Sequence, residues 1–307
     1  MARKYGLAID NLLSAQVVTA DGEIVTASAT ENQDLFWAIR GGGGNFGIIT
    51  EFEFRLAPVG QVPGGDLLLP ASREVIRGYL DFMATAPDEL TTLGNLMHAP
   101  PFPWVPENRV GEVVLSIIVC WTGSVEDGER ALAPLRALAT PVADTVRPIP
   151  YPVIYESTAH QAARHGAIVR MTYANDFSDD AIDTMLAAIE NASSPFSVVH
   201  LRGMGGTFAR VGNDETAFAN RDKRYFFAAI AVWLDASEDG APHRAWAESL
   251  FEKVRHEGSG AYVNFLDNEG EDRIREAYCA NYTRLAEIKA KYDPTNLFRF
   301  NQNIRPK

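Results

Sequence analysis

Three glycines, Gly42, Gly44 and Gly47, have the G-x-G-x-x-G spacing with which many enzymes bind the pyrophosphate of a dinucleotide. In that motif a strand leads into the glycines and a helix follows them, so that amides at the helix N-terminus point at the phosphate. Here a predicted helix precedes the glycines and a strand follows, which argues against a nicotinamide-dinucleotide site. The run of four glycines from Gly41 either permits a tight turn or lets a flat ligand lie close to bare backbone.

The histidines lack the spacing that would place two imidazoles and a carboxylate around one metal ion, and we expect no metal. His200 lies in an apolar strand near Arg202, where it either lines a substrate pocket or is a hydrogen-bonded residue of the strand. The segment from Arg202 to Gly206 contains three glycines and is typical of a bulge or turn near a ligand.

The elements that must position these residues begin with a predicted β-hairpin. Two β-rich runs, 12–20 and 23–28, are joined by Asp21-Gly22, a dipeptide that suits the positive backbone angles of a two-residue turn. A short helix follows and ends at the glycine run. Residues 46–56 then alternate roughly between apolar and charged side chains until Pro58, which predicts a strand with one covered face.

Residues 57–65 contain two prolines and three glycines, and we place a domain boundary there. Beyond it the chain alternates between helical and strand-like stretches, which predicts a sheet with helices on one face. The predicted helices are 72–86, 125–139, 179–191, 237–257 and 271–291, and the predicted strands are 110–121, 167–173, 197–201 and 225–234. The proline-rich loop from Pro100 to Pro106 carries Phe102 and Trp104, and either edges a pocket or packs as an ordinary loop.

Composition excludes several classes of protein. The 307 residues carry a net charge of -12, which would repel nucleic acid. Cys120 and Cys279 are too far apart in sequence for a zinc motif, and two free thiols indicate a reducing compartment. The apolar runs are too short to span a membrane, and the first residues do not resemble a signal peptide. We therefore expect a cytoplasmic protein without nucleic-acid or membrane partners.

Two blocks of sequence resemble one family. Residues 5–11, the hairpin and residues 34–50 are similar to the FAD-binding domain of berberine-bridge-type (PCMH-type) flavin oxidoreductases. Residues 261–265 and 281–304 are similar to that family's C-terminal signature, in the same order. Asn220-Arg221 stands where the family often has His-Arg. The resemblance covers nearly the whole chain, which looks like the C-terminal portion of such an enzyme, beginning after the N-terminal FAD subdomain.

The resemblance implies an α+β fold with two parts. Residues 1–58 and 258–307 would form a partial FAD-binding domain, and residues 59–257 a substrate domain of antiparallel sheet covered by helices. The cofactor would be FAD. The residues that would contact it are Tyr5, Gly6, Asn11, Gly44, Asn45, Gly47, Ile48, Ile49 and Asn264.

The family also implies a reaction, in which a hydride moves from a small hydroxylated or amine substrate to the flavin while a base takes a proton. Many relatives use a tyrosine at the position where this chain has Phe265, which cannot carry a proton. Tyr262 is then the first candidate, with Asp267, Arg202 and Tyr173 as others. On a strand, Tyr262 and Phe265 would face opposite sides unless a bulge intervened.

Absence of the N-terminal subdomain has two implied consequences. The surface against which that subdomain would pack, which we call the flavin-domain seam, would expose apolar or glycine-rich residues and unpaired strand edges. Such a surface would favour association of two copies of the chain. The rival hypothesis to an oxidoreductase is a truncated, non-catalytic binding remnant that does not retain FAD, because half a site cannot offset the entropy of holding the cofactor.

Overall fold

The computed structural model describes residues 1–162, 165–300 and 302–307, apart from the side chains of residues 157–162. Asn301 and the side chain of His160, both within the sequence features considered above, lie outside this description. The described residues form two antiparallel sheets with helices packed on them, which confirms the α+β class.

The smaller sheet is built on the predicted hairpin, which is confirmed. Its strands, in the order β2-β1-β3, are β1 (Leu12–Val18), β2 (Ile24–Ser28) and β3 (Ile48–Phe54). Two short helices accompany it, α1 (Ala2–Tyr5) and α2 (Gln33–Ile39). Its core combines residues of the first 46 positions with residues near the end of the chain, including Phe46, Tyr278 and Ile304. The two ends of the chain therefore pack as one unit, while its assignment to an FAD domain with the boundaries given above stays a prediction.

The expectation that β3 has one covered face is wrong. This edge strand leaves Ile48 and Phe52 58% and 52% exposed, and Phe54 is exposed as well. Of the residues of β3, Ile49 packs against the core of the smaller sheet, whereas the Phe52 and Phe54 rings stack on each other 5.6 Å apart outside that core. Apolar surface thus lies on this strand. The association of two copies through the surface left by the absent N-terminal subdomain stays a prediction.

The larger sheet contains nine strands within the described residues. They are β4 (Gln61–Pro70), β5 (Leu90–His98), β6 (Val113–Trp121), β7 (Ala143–Asp144), β8 (Arg147–Pro150), β9 (Gly166–Ala174), β10 (Val198–Gly203), β11 (Tyr225–Trp233) and β12 (Gly258–Ser259). The order is β12-β9-β11-β10-β5-β6-β4-β7, and β8 pairs with β4. The sequence did not predict β4 or β5, and β4 starts inside the segment interpreted as a domain boundary.

Helices cover one face of this sheet, as expected. They are α3 (Arg73–Thr85), α4 (Val125–Arg136), α5 (Asp179–Glu190) and α7 (Ala241–Val254). The first three begin at Ser72, Ser124 and Ser178, whose hydroxyls each accept a hydrogen bond from the amide three residues on. No helix of the described ranges is long and apolar enough to cross a bilayer.

The remaining helices are α6 (Thr207–Arg210), α8 (Glu271–Tyr278) and α9 (Asn281–Tyr292). The single helix predicted over residues 271–291 is wrong, because the chain breaks at Cys279, which has a left-handed φ of 48°. After the break, the Asn281 amide donates to the carbonyl oxygens of Asn213 and Thr216 at 2.6 and 3.2 Å. These bonds dock α9 on the loop that precedes β11.

Candidate functional site

The face of the larger sheet opposite its helices carries a row of polar side chains. On β10, Val199 and Leu201 point into the helix-side core, so His200 and Arg202 point to the other face, which we call the open face. His200 lies opposite Asn95 of β5, and Asn95 lies opposite Ser116 of β6. Polar residues of three adjacent strands therefore meet on the open face.

An aromatic cluster borders this row. Phe226 of β11 meets Phe265 edge-on at 5.3 Å, and Phe265 stacks on Tyr262 at 5.5 Å. Tyr262 meets Phe218 edge-on at 5.8 Å. The expected strand is wrong here, because Val263–Phe265 form a 3₁₀ turn in which the Phe265 amide donates to the Tyr262 carbonyl at 2.8 Å. The turn brings two side chains three positions apart onto one side.

The Tyr262 hydroxyl is oriented by its neighbour. The exposed Asn264 amide donates to the Tyr262 hydroxyl oxygen at 2.9 Å. Since that oxygen accepts from Asn264, its own proton is directed elsewhere, and the half-buried ring leaves the hydroxyl at the border of the open face. Tyr262 and Asn264, both site candidates from the sequence, are thus brought together.

Arg202 joins the polar row to the aromatic cluster. Its guanidinium lies over the rings of Phe226 and Phe265, 5.0 and 5.5 Å from their centroids. Burial lowers the pKa of Arg202 from its ordinary value. Its Nη2 approaches Nδ1 of His200 at 3.5 Å, and its buried Nε has no hydrogen-bond partner in the structure.

His200 is neutral near pH 7. Burial, and then the positive charge of Arg202, lower the pKa of His200 to about 3. The imidazole can then accept a hydrogen bond from Arg202 and still present its second nitrogen to a neighbour. The structure is compatible with both roles considered for His200, since the imidazole lies on the open face and is also within hydrogen-bond reach of Arg202.

Two of the other candidate bases have less suitable surroundings. Tyr173 is buried, and burial followed by the neighbouring Tyr262 raises the pKa of Tyr173 above its ordinary value, which disfavours loss of its proton. Asp267 is exposed, and its described contacts are made by its backbone carbonyl, which accepts from Gln302 and from the Glu269 amide.

The glycine run is shaped in part by the protein's own packing. A Cβ on Gly41 would lie 2.4 Å from the Phe218 amide nitrogen, and one on Gly47 would lie 2.5 Å from Val17. A Cβ on Gly43 would meet no atom within 4 Å. Internal packing therefore accounts for Gly41 and Gly47, and the space beside Gly43 leaves room for the close approach of a ligand. The predicted contacts of Gly44 and Gly47 with FAD stay predictions.

The other residues that the family resemblance suggested for FAD lie near the N-terminus. Two of them, Asn11 and Asn45, make hydrogen bonds within the protein. Asn11 donates to the carbonyls of Tyr5 and Leu7, at 2.8 and 3.0 Å, and closes the turn around Gly6. The buried Asn45 side chain donates to the Gly42 and Gln302 carbonyls and accepts from the Ile304 amide. Gly44 and Ile48 are exposed, and Ile49 is half-buried. Their roles toward a cofactor stay predictions.

Three polar residues of the open face were missed from the sequence: Asp66, Asn95 and Ser116. Ser116 hydrogen-bonds to the Asp66 carboxyl, and Asp66 lines a cavity of about 470 Å³ beside the proline-rich loop. Phe102 and Trp104 line the same cavity and also pack against a small apolar cluster, so both roles considered for the loop are observed. The missed signal was a polar residue between apolar neighbours in each of these strands.

Asp66→Asn is expected to change how stability depends on pH. Burial raises the pKa of Asp66 from 3.8 to about 6. The folded protein therefore holds this proton more tightly than the unfolded chain. Protonation of Asp66 thus stabilises the fold, and this stabilisation is complete below pH about 4 and is lost as pH rises through about 6. Relative to that of the wild type, the free energy of unfolding of the variant should rise by about 3 kcal/mol between these limits. Urea unfolding at pH 4 and 7.5 measures this, with exposed Glu51→Gln as the control. A variant with the same pH dependence as the wild type would contradict the assignment.

Comparison with known proteins identifies relatives along the whole chain. Residues 261–305 match the family model "Berberine and berberine like". The FAD-linked oxidoreductase YvdP of Bacillus subtilis is 31% identical over 100% of this chain and 68% of its own length. The (R)-6-hydroxynicotine oxidase of Paenarthrobacter nicotinovorans is 29% identical over 99% of this chain and 67% of its own length. The chain thus spans about two thirds of these relatives.

A solved structure shows the same fold. A variant of BBE-like 1 from Physcomitrella patens superposes with a TM-score of 0.85 and 22% identity, over 100% of this chain and 68% of that one.

Proposed function

Because the chain belongs to the berberine and berberine-like family of FAD-linked oxidoreductases, we propose that its open face binds a small hydroxylated or amine substrate and oxidises it by hydride transfer to FAD. FAD is the cofactor of this family. When bound, the flavin supplies the hydride acceptor. The observation that carries the proposal is the Asn264–Tyr262 hydrogen bond, made at the border of the row that contains Arg202.

The residues present fit a flat polar ring at this place. Arg202 Nε and Asn95 Oδ1 are buried without partners in the structure, and buried polar groups in proteins are ordinarily hydrogen-bonded. The half-buried rings of Tyr262 and Phe265 offer an apolar surface beside them. Asn264, exposed at the edge, can donate to a ring oxygen or nitrogen with its second N–H. These residues would hold the cofactor ring and the reacting end of the substrate.

Two side chains would act on the substrate. Arg202 would donate from Nε to the substrate oxygen or nitrogen and so hold it on the open face. The positive charge of Arg202 would also stabilise the negative charge that develops on this atom as its proton leaves. Tyr262 would first release its own hydroxyl proton to solvent and would then take the substrate proton as a phenolate, whose oxygen accepts a hydrogen bond from Asn264. His200, neutral, would accept from Arg202 and orient its guanidinium.

Retention of FAD is the first test. The purified protein is incubated with FAD, passed through a desalting column and measured for flavin absorbance, with Asn264→Ala as a variant. We expect a yellow wild-type protein and weaker retention by the variant. A folded, colourless wild type would contradict the proposal and support the rival hypothesis of a binding remnant.

Tyr262→Phe is expected to slow reduction of the bound flavin by about 100-fold, at the lower end of general-base contributions. Anaerobic stopped-flow mixing of FAD-loaded protein with panels of alcohols, sugars and amines, 6-hydroxynicotine included, measures this as loss of flavin absorbance. Tyr282→Phe is the matched control, since it removes a buried hydroxyl that has no hydrogen-bond partner in the structure. A Tyr262→Phe variant that reduces flavin at the wild-type rate would remove this tyrosine from the mechanism.

A further inference from the structure

The 3₁₀ turn Val263–Phe265 determines where the Tyr262 hydroxyl and the Asn264 amide lie relative to each other. Within the turn, the Phe265 amide donates to the Tyr262 carbonyl at 2.8 Å. Hydrogen bonds of 3₁₀ turns have poor geometry, so a turn of three residues has little stability of its own. Contacts from elsewhere in the chain are needed to hold it in place.

The N-terminal side of the turn is held from the larger sheet and from the loop before β11. Tyr262 donates from its amide to the sulfur of Met171, a buried residue of β9, at 3.0 Å. One residue earlier, the Ala261 carbonyl accepts from the buried Asn220 side chain at 3.4 Å. Asn220 has a left-handed φ of 64°, which asparagine adopts more readily than most residues. Buried groups therefore fix this side of the turn.

The C-terminal side of the turn is held by the side chain of Gln302. Its carboxamide nitrogen donates to the Leu266 carbonyl at 2.8 Å and to the Asp267 carbonyl at 3.3 Å. Leu266 follows Phe265 directly, so these bonds act on the backbone where the turn ends. Leu266 is half-buried and Asp267 is exposed, and packing alone fixes this side less firmly than the other.

Gln302 is itself fixed by the segment that follows the glycine run. The buried Asn45 side chain donates to the Gln302 carbonyl at 3.1 Å and accepts from the Ile304 amide at 3.0 Å. The Asn45 carbonyl accepts from the buried Lys289 ammonium at 2.6 Å. The Gln302 side chain therefore extends from a fixed backbone and joins the core of the smaller sheet to the turn.

We infer that Gln302 is a positioning residue, which holds the turn Val263–Phe265 so that Tyr262 and Asn264 face the substrate. Its effect on the reaction rests on the proposed function, whereas its effect on the turn does not. A displacement of reacting groups by about 1 Å can lower a rate by about 100-fold. Since the N-terminal side of the turn stays fixed, we expect loss of the Gln302 amide to slow flavin reduction by about tenfold at saturating substrate.

Two substitutions separate hydrogen-bond donation from the filling of space. Gln302→Leu keeps much of the volume but cannot donate. Gln302→Glu keeps the shape but donates only while its carboxyl is protonated, and a carboxylate would face two carbonyl oxygens. This placement raises the pKa of the new carboxyl. The Glu variant should therefore be closer to the wild type at pH 5.5 and closer to Gln302→Leu at pH 8. Matched controls are Gln33→Leu and Gln33→Glu, which change an exposed glutamine of α2.

NMR on the protein without FAD measures the turn independently of catalysis. We expect Gln302→Leu to lower the protection of the Phe265 amide against hydrogen exchange at least tenfold, and to move the Asn264 side-chain signals toward those of a free asparagine. In the stopped-flow assay of the FAD-loaded protein, the rate of Gln302→Glu relative to the wild type should be at least threefold higher at pH 5.5 than at pH 8. The Gln33 variants should match the wild type in every measurement.

Wild-type protection of Phe265 in Gln302→Leu would overturn the inference, and so would equal losses in Gln302→Glu at the two pH values. A loosened turn combined with the wild-type rate of flavin reduction would show that Gln302 does not position Tyr262, which also overturns it. Should Gln302→Leu fail to fold, Gln302→Glu gives the comparison within one protein. If the proposed oxidation is wrong, the wild type itself fails to reduce flavin, while the NMR signals still report on the turn.

Discussion

Replacing Arg221 by methionine is expected to lower the free energy of unfolding by about 3–5 kcal/mol. The Arg221 side chain is buried and donates from both terminal nitrogens to the Asp10 carboxylate, at 3.0 and 2.6 Å. It also donates to the Thr216 hydroxyl at 3.0 Å. Methionine fills much of the space but leaves the Asp10 charge without its partner in a buried place. Urea unfolding at pH 7 measures the loss.

The exposed ion pair of Arg130 with Asp127 supplies the matched control. Both partners are more than half exposed, so Arg130→Met should cost less than about 0.5 kcal/mol. A double-mutant cycle with Asp10→Asn then separates the coupling of the buried pair from the loss of arginine packing. Equal costs for the Arg221 and Arg130 variants would show that the buried pair does not hold the N-terminal turn to the loop before β11.

Lys289→Met is the second substitution with a large expected cost, about 3–5 kcal/mol. The fully buried ammonium donates to the Asp293 carboxylate at 2.6 Å and to the carbonyls of Asn45 and Phe298 at 2.6 and 2.7 Å. Burial lowers the pKa of Lys289, and the bond to Asp293 opposes that effect. For Asp293, burial acts to raise the pKa, but the bonds from Lys289 and from the Phe298 and Leu297 amides prevail and lower it.

Lys291→Met, two residues further along α9, is the matched control because Lys291 is mostly exposed and pairs with Asp34 at the surface. We expect it to change the free energy of unfolding by less than about 1 kcal/mol. Thermal and urea unfolding of both variants give the comparison. If the two substitutions cost the same, the buried ammonium is not what joins α9 to the glycine run.

Periodicity and local turn chemistry predicted much of the fold. The helices α3, α4 and α5 each follow a serine that caps them, and each carries one apolar side. Asp21-Gly22 predicted the hairpin. These features depend on residues near one another in the sequence, which is why they could be read without knowledge of long-range contacts.

β4 was missed because its signals conflict. Pro63, Gly64 and Gly65 are typical of a loop, but here they lie in a strand. A Cβ on Gly65 would lie 2.7 Å from the Thr145 carbonyl oxygen, so a close approach from elsewhere in the chain requires the glycine. Such a requirement is set by long-range packing and is invisible in the local pattern.

In the candidate site too, some residues could be predicted from the sequence and others depend on long-range packing. The family resemblance selected Tyr262 and Asn264, which the structure places together. It did not select Asn95 or Ser116, because their meeting with His200 depends on strand register, and a shift of one residue would turn them to the other face. The stacking of Tyr262 on Phe265 depends on a 3₁₀ turn that the residue types alone did not indicate.

The packing of both ends of the chain in one core has a consequence for synthesis on the ribosome. Phe46 and its neighbours lack their partners until Tyr278 to Ile304 have been made, roughly 230 residues later. At 5–20 residues per second this is roughly ten to fifty seconds. Throughout that interval the apolar side of the smaller sheet lacks the residues that cover it, and Phe52 and Phe54 lie on an edge strand. The larger sheet, which is complete only at β12, is finished shortly before. We therefore expect the early segment to expose apolar surface on the nascent chain throughout this interval.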